Sequence, residues 1–357
     1  MKSKKSPRPL PEEYKISLHK AIAYGLAAPN PHNTQAWKFK ILNEREMLFY
    51  VDEKRLLPQT DPDTRQIHIG CGCFIESLKI GMSSLGYATA IDYFPEGHYQ
   101  HRQEIGQKPI ALIRLSPLSS PQPDALHSFI LSRKTNRKAY QKEKFSESEI
   151  EALLQRAGLR QTMPIFIQEE AKLQQNLPIF VEAMALETQL YDKHEESRIW
   201  FRENDALIIS TKDGINLRGG GKSGISRMLA EWYLKDKKPE KWHSQKSAAS
   251  YMQDFQEALQ STPALLLLKS ARNGYTDWLE AGRDYLRLQL ACSAEEVYLH
   301  PLSQVLQEYK EMQALADKFN QIHDIQEPEK IQMVCRIGKS SNTFVSYRRS
   351  PEYLLIN

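Results

Sequence analysis

The sequence predicts an α+β chain made of two related halves, each a mainly antiparallel sheet flanked by helices. Three observations point there. Helix-patterned segments alternate with short strand-like runs along all 357 residues. A Pro/Ser/Gln-rich connector at 117–123 divides the chain. Two helical segments also share one spacing: Gly72, Ile75, Leu78 and Ile80 in the first, and Gly282, Tyr285, Leu288 and Leu290 in the second, each leading into a strand. That echo taken alone is also what generic helix patterning produces. The expected division is 1–120 and 121–357, with a lid-like excursion near 213–246.

The elements follow in order. Tyr14, Leu18, Ala21, Ile22, Gly25 and Leu26 recur at helical spacing. Trp37, Phe39 and Ile41 alternate, and residues 47–51 follow after a polar turn, which reads as a hairpin. Asp61-Pro62-Asp63-Thr64-Arg65 starts a long helix running to Leu85 or so, with Ile75, Leu78 and Met82 on its apolar face. Strand-like runs at 87–94 and 110–115 come next. Beyond the connector, Ser146-Glu147-Ser148-Glu149 forms a capping box ahead of Ile150, Leu153 and Leu154. Further strand-like runs lie at 165–167, 206–209, 264–268 and 332–337, and a central helix covers 277–294. The stretch 213–246 holds Gly219-Gly220-Gly221, many lysines and little clean periodicity, as a mobile lid or excursion would.

Composition narrows the function classes. The chain is 41% hydrophobic and 26% charged, which is ordinary globular usage. A net charge of +4 is small for this length and gives no argument for nucleic acid. No run reaches membrane-spanning length, so no membrane partner is expected. The basic N-terminus (Lys2, Lys4, Lys5, Arg8) reads as a solvated tail without the apolar stretch of a signal peptide. The four cysteines make no disulfide framework; Cys71 and Cys73 read as small buried hydrophobes, and a reducing cytoplasm fits. No metal-ligand spacing is present. His194 and His243 read as surface residues, and Glu195-Glu196 as a solvated face. Gly219-Gly220-Gly221-Lys222-Ser223 lacks both the first glycine and the preceding strand of a P-loop.

Two segments carry chemistry. Ala27-Ala28-Pro29-Asn30-Pro31-His32-Asn33-Thr34-Gln35-Ala36-Trp37 joins a helix to an aromatic strand. Loops fixed between rigid elements are where ligand-reading groups concentrate. The amides of Asn33 and Gln35 suit a flat heteroaromatic edge of mixed donors and acceptors. The same residue types also build an Asx-type turn that only caps the helix and starts the strand. The second segment is Ser132-Arg133-Lys134-Thr135-Asn136-Arg137-Lys138-Ala139-Tyr140. Cations and hydroxyls at this spacing can grip a phosphate, and a solvated basic loop has the same composition.

Both segments resemble signatures of the FMN-dependent nitroreductase superfamily. The first is similar to its A-P-S-x-x-N-x-Q-P-W motif, with Pro29, Asn33, Gln35 and Trp37 in register, Asn30 for Ser and Ala36 for Pro. The second is similar to its R-R-S-x-R element, with Arg133, Thr135 and Arg137 in place, Lys134 for the second Arg and Tyr140 as the following aromatic. The order of the two is unusual. The Arg-rich element follows the Asn/Gln loop here, which resembles the duplicated Acg-type branch first described in mycobacteria. Asp61-Pro62-Asp63-Thr64-Arg65, Gly70-Cys71-Gly72, Arg336-Ile337-Gly338 and Arg348-Arg349-Ser350-Pro351 are similar to that branch as well. The resemblance does not extend to 213–246.

The resemblance implies a nitroreductase-like fold of two fused halves, with FMN between them. His32, Asn33, Thr34 and Gln35 would read the isoalloxazine edge. Arg133, Lys134, Thr135 and Arg137, with Arg348 or Arg349, would hold the phosphate. The Glu295-Glu296-Val297 strand leads to His300-Pro301, a flavin-adjacent position by resemblance, although a strand-end histidine is commonly structural. Electrons would pass from NAD(P)H through FMN to a nitroaromatic, quinone or similar acceptor. No side chain need act as acid or base, so no catalytic residue is named. The alternative is an Acg-type protein that sequesters FMN under a lid with little or no reductase activity. A fused chain would act as a monomer with an intrachain pseudo-dimer, or as a homodimer.

Overall fold

The computed structural model describes residues 6–356, so Lys2, Lys4 and Lys5 lie outside the described residues. The first half opens with α1 (Ser17–Leu26) and continues through β1 (Trp37–Ile41), β2 (Glu46–Val51), α2 (Arg65–Ser84), β3 (Tyr87–Tyr93) and β4 (Ala111–Pro117). Its strands form an antiparallel sheet in the order β1-β2-β4-β3. Register sets Phe39 opposite Phe49, and their rings stack 4.6 Å apart. Phe74 of α2 packs against both rings, so the aromatic alternation read in β1 is this half's core face. Asp61 starts α2 by accepting the backbone N–H groups of Gln66 (3.0 Å) and Ile67 (2.9 Å), two donors that a helix end otherwise leaves unpaired.

The second half runs through α3 (Glu147–Ala157), β5 (Met163–Ile167), α4 (Glu170–Gln189), α5 (Tyr191–Trp200), α6 (Asp205–Thr211), α7 (Gly224–Tyr233), α8 (Pro239–Trp242) and α9 (Gln245–Gln260). It closes with β6 (Ala264–Ser270), α10 (Tyr275–Ala294), β7 (Val297–Pro301), α11 (Gln313–Ile322) and β8 (Lys330–Lys339). The sheet order β5-β6-β8-β7 repeats that of the first half, again antiparallel. The Ser146 capping box forms as read. The run at 206–209 is not a strand. It lies in α6, started by the Asn204 side chain accepting the Leu207 N–H, because a short apolar run does not by itself distinguish strand from helix. The excursion is also larger than 213–246: everything at 168–263, including α4–α9, is inserted between β5 and β6.

The halves meet at α2 and α10. A Cβ on Gly72 would lie 1.9 Å from the Leu279 carbonyl oxygen, and one on Gly282 would lie 2.0 Å from that of Ile69. The glycine echo is therefore a reciprocal contact in which each helix approaches the other's backbone. Glu76 then pairs with Arg283 (2.8 Å) and Arg287 (3.0 Å) across the seam. One hydrophobic core runs through both halves around these helices, and a second lies under the insertion. The chain's last turn returns to the first sheet, where Leu355 bridges Phe39. All four cysteines are free and buried. Among the described residues no helix is long and apolar enough to cross a membrane.

Two surface expectations need correction. Arg8 is buried, not part of a solvated tail, because its guanidinium donates to the carbonyls of Ile130, Leu131 and Arg133. Glu196 is buried as well, accepting from the Thr60 hydroxyl (2.7 Å) and the N–H groups of Gln59 and Thr60.

Candidate functional site

The loop after α1 has an uncommon backbone. His32, Asn33 and Gln35 have φ of 48°, 53° and 52°, the left-handed region that disfavours residues with a Cβ. Each costs of order ~1 kcal/mol, and such residues cluster where a site must be held in shape. The loop is held by its neighbours. Gln35 N donates to Asn30 Oδ1 (2.8 Å), and Arg55 donates to the Thr34 carbonyl (2.7 Å). The Gln35 amide is used at both ends: Nε2 donates to the Lys212 carbonyl (2.9 Å), and Oε1 accepts the Arg349 N–H (2.9 Å). Asn33 Nδ2 reaches the Gly214 and Tyr347 carbonyls, both at 3.3 Å. Two buried polar atoms have no partner, Asn33 Oδ1 and the Thr34 hydroxyl. His32 Nε2 shares a hydrogen bond with Ser197 Oγ (3.0 Å). Burial and the nearby Arg137 charge pull His32 down to about 4.

The segment over this loop belongs to the insertion. Asp213 is buried between Arg55 (2.9 Å) and Arg202 (2.7 Å), which fixes 212–214 against 33–35. Gly214 N donates to the Asn33 carbonyl (3.2 Å).

Beside the loop, the guanidiniums of Arg133 and Arg348 converge on the C-terminal end of α1, and that of Arg8 lies against Arg133. Arg348 donates to the carbonyls of Leu26 (2.8 Å) and Ala28 (3.0 Å), and Arg133 to that of Ala27 (3.3 Å). Arg8 donates to the Arg133 carbonyl (2.7 Å). Cations at a helix C-terminus answer its orphan carbonyls and its dipole. All three are buried, and among the described residues none pairs with a carboxylate. Burial, then Arg133 and Arg348, hold Arg8 well below its ordinary value; burial, then Arg133, bring Arg348 to about 9. Arg8 Nε is left without a partner. Three neighbouring buried cations with no acid form a site short of negative charge.

The Arg-rich element diverges from this point. Lys134 turns to Asn342, Thr135 bridges Leu299, and exposed Arg137 donates to the Gly219 carbonyl (3.1 Å). Beyond Arg137 lies a second group that, among the described residues, pairs with no carboxylate. Buried Arg336 stacks on Tyr140 at 4.3 Å and donates to His300 Nδ1 (3.1 Å) and Thr262 Oγ1 (2.9 Å). Pro301 ends β7 opposite Cys335. The structure thus brings Asn33, Thr34, Gln35, Arg133, Arg348 and Arg349 together, while Arg137 and His300 gather toward Arg336. Sequence reasoning missed Arg8, which looked like tail, and Asp213, whose partners are distant in the chain. Two surface hollows, one lined by Gln161, Thr162 and Asp277 and one by Gln313, Asn320 and Lys330, involve none of the loop's residues.

No protein-family model matches the chain. It is 29% identical over 125 residues to a Mycobacterium tuberculosis protein provisionally named NAD(P)H nitroreductase Rv3131, covering 35% of this chain and 34% of that one. It is 27% identical over 78 residues to the same organism's provisionally named NAD(P)H nitroreductase acg, covering 22% and 23%. The chain thus spans about a third of the length of the first of these relatives, or less. Among solved structures it is similar to an FMN-bound nitroreductase from Bacteroides fragilis (12% identity, TM-score 0.33, 61% of this chain and 90% of that one). It is also similar to the FMN-dependent nitroreductase NfnB from Mycobacterium smegmatis in complex with NADPH (15%, 0.35, 59% and 85%). The sequence matches carry the resemblance to the nitroreductase superfamily, and the paired four-stranded sheets described above carry the fold.

Proposed function

We propose that this chain, whose relatives are named as nitroreductases, is an FMN-binding oxidoreductase that moves electrons from NAD(P)H through FMN to a nitroaromatic, quinone or similar acceptor. The observation that carries the reading is the trio Arg8, Arg133 and Arg348, buried, adjacent and without a carboxylate. A phosphate monoester supplies the missing charge, and guanidinium forks match its oxygens. The residues fit the group: an unpartnered Arg8 Nε stands on the anionic side, and Asn33 Oδ1 and the Thr34 hydroxyl stand on the edge-reading side. Gln35 supports the site by clasping 212 and 349. Lys134, Thr135 and Arg137 border it, with His300 and Pro301 beyond. When bound, FMN supplies hydride and electron transfer, and the protein supplies position and electrostatics. The left-handed loop fixes where Asn33 and Thr34 point, and the buried arginines exclude water from the anionic end.

In this reading 1–120 and 121–357 stand in for two subunits, NADPH or NADH is the donor, and the compartment is a reducing cytoplasm, where four free thiols are stable. The second reading, FMN sequestration without turnover, is favoured by one contact: 212–214 lies across the loop, pinned by Asp213. Adding NADPH and then NADH anaerobically to the flavin-loaded protein separates the two. Rapid bleaching of the flavin absorbance supports a reductase. Slow bleaching that Asp213→Ala accelerates supports sequestration.

A further inference from the structure

The outward face of α7 is apolar. Ile225, Met228, Leu229 and Trp232 are 76%, 62%, 63% and 75% exposed. Their spacing of three, four and seven residues makes a single stripe along the helix. The polar side holds α7 to the protein: Arg227 reaches Asp205 of α6 (3.4 Å), and Tyr233 Oη shares a hydrogen bond with Ser244 Oγ (3.2 Å). The stripe is therefore presented to solvent by its own anchoring. Isolated exposed apolar residues are ordinary, but a contiguous stripe including Trp marks a contact.

Charge identifies the partner. Residues 222–246 hold seven Lys/Arg against three Asp/Glu, a surplus equal to the +4 of the entire chain. Lys235 and Lys238, which follow the stripe in the chain, are exposed, as is Lys246. A second copy docking on this face would set one such surplus against another. We propose that α7 and its lysine-rich flank dock reversibly on an anionic lipid bilayer, with Ile225, Met228, Leu229 and Trp232 at the headgroup–acyl boundary and the lysines on the headgroup charges. A helix with a Trp and aliphatic face bordered by lysines lies in such an interface without spanning it. Lysines near an anionic leaflet add attraction that salt screens. This docking is independent of whether the chain binds flavin.

The test is flotation of the full chain with phosphatidylcholine vesicles and with vesicles mixing phosphatidylcholine and phosphatidylglycerol. The expected result is about tenfold or more protein on the anionic vesicles, reversed by salt. Trp232→Ser/Leu229→Gln and Lys235→Glu/Lys238→Glu each lose that binding while melting like the parent, because the altered side chains are exposed. Absence of binding to either vesicle, or undiminished binding by both variants, overturns the proposal. So does a parent dimer that Trp232→Ser/Leu229→Gln converts to monomer while vesicles take up neither, which assigns the stripe to a second copy.

Discussion

The two halves share one strand order and one glycine contact, yet their sheets are covered differently. In the first half β1 and β2 are joined by a turn at 42–45, and β3 alternates half-buried and exposed residues along its length. That is the pattern of an antiparallel sheet with one face in water. In the second half the same hairpin position opens into α4–α9, and nearly every residue of β6 and β8 is buried. Leu266 and Leu268 face the core shared with the first half, while Leu265 and Leu267 face the core under the insertion. Continuous apolarity in β6 therefore reports a second covering layer, not a different sheet topology. The loops before the first strand differ too. In the second half the equivalent loop is short, and Asp284 accepts the N–H groups of Arg160 (3.0 Å), Gln161 (2.9 Å) and Thr162 (2.8 Å). The first half keeps the strained polar loop, and Arg133 and Arg348 reach its α1 from the other half to join Arg8. Two frames share one topology, and among the described residues they differ most in the loop before the first strand.

The seam is the most sensitive place to break this arrangement. Gly72→Val or Gly282→Val drives a side chain into a backbone carbonyl and is expected to cost at least the upper end of the ~1–3 kcal/mol typical of overpacking, read by urea denaturation. Gly219→Ala, which meets only ordinary contacts, should leave the midpoint unchanged. Next comes the covering layer. Leu267→Ala should cost about 2–5 kcal/mol and raise hydrogen exchange in α4 and α9, whereas Leu112→Ala on the half-buried face of β4 should cost less than about 1 kcal/mol. Equal costs would mean the two sheets are covered alike.

Proton linkage sharpens the comparison, with opposite signs in the two halves. His32 is held neutral, down to about 4, so its contribution is complete above its unfolded value of 6.5 and is lost as pH falls toward 4. Burial raises Glu187, in the insertion, to about 7 against opposing hydrogen bonds from Gln307 and Gln304. Its neutral form is favoured in the fold, so its cost builds as pH rises from about 4 to 7. Across that range on acidification, the parent should lose stability relative to His32→Gln and gain it relative to Glu187→Gln. Parallel pH curves for parent and variants would refute the assigned burial. Asp213→Ala leaves Arg55 and Arg202 without their shared carboxylate and frees 212–214 from the loop, so it should lower the melting temperature as well as change the rate of flavin reduction.

Much of the frame was legible because periodicity reports local structure. The hairpin, α2, α10 and the Ser146 capping box all follow from spacing and cap chemistry. The run at 206–209 fits either period because it has only four apolar residues, and its Asn204 cap makes it a helix. The insertion's extent was hidden because β5 and β6 pair across nearly a hundred residues that no local signal connects. At the site, the loop and Arg133 stood out by composition. Arg8 did not, since an arginine near a chain end looks solvated until its carbonyl partners are in place. Nor could the sequence show that the Gln35 amide is consumed by Lys212 and Arg349.

The most direct test of the central claim, that one duplicated frame holds one FMN, is equilibrium titration of the apoprotein with FMN, followed by flavin fluorescence and absorbance. One FMN per chain is expected. Binding should weaken by about 2 kcal/mol, roughly thirtyfold, in Arg133→Met and in Arg348→Met, with a smaller loss in Arg137→Ala. Absence of FMN binding, two FMN per chain, or undiminished affinity in the two methionine variants of correctly folded protein would contradict that claim.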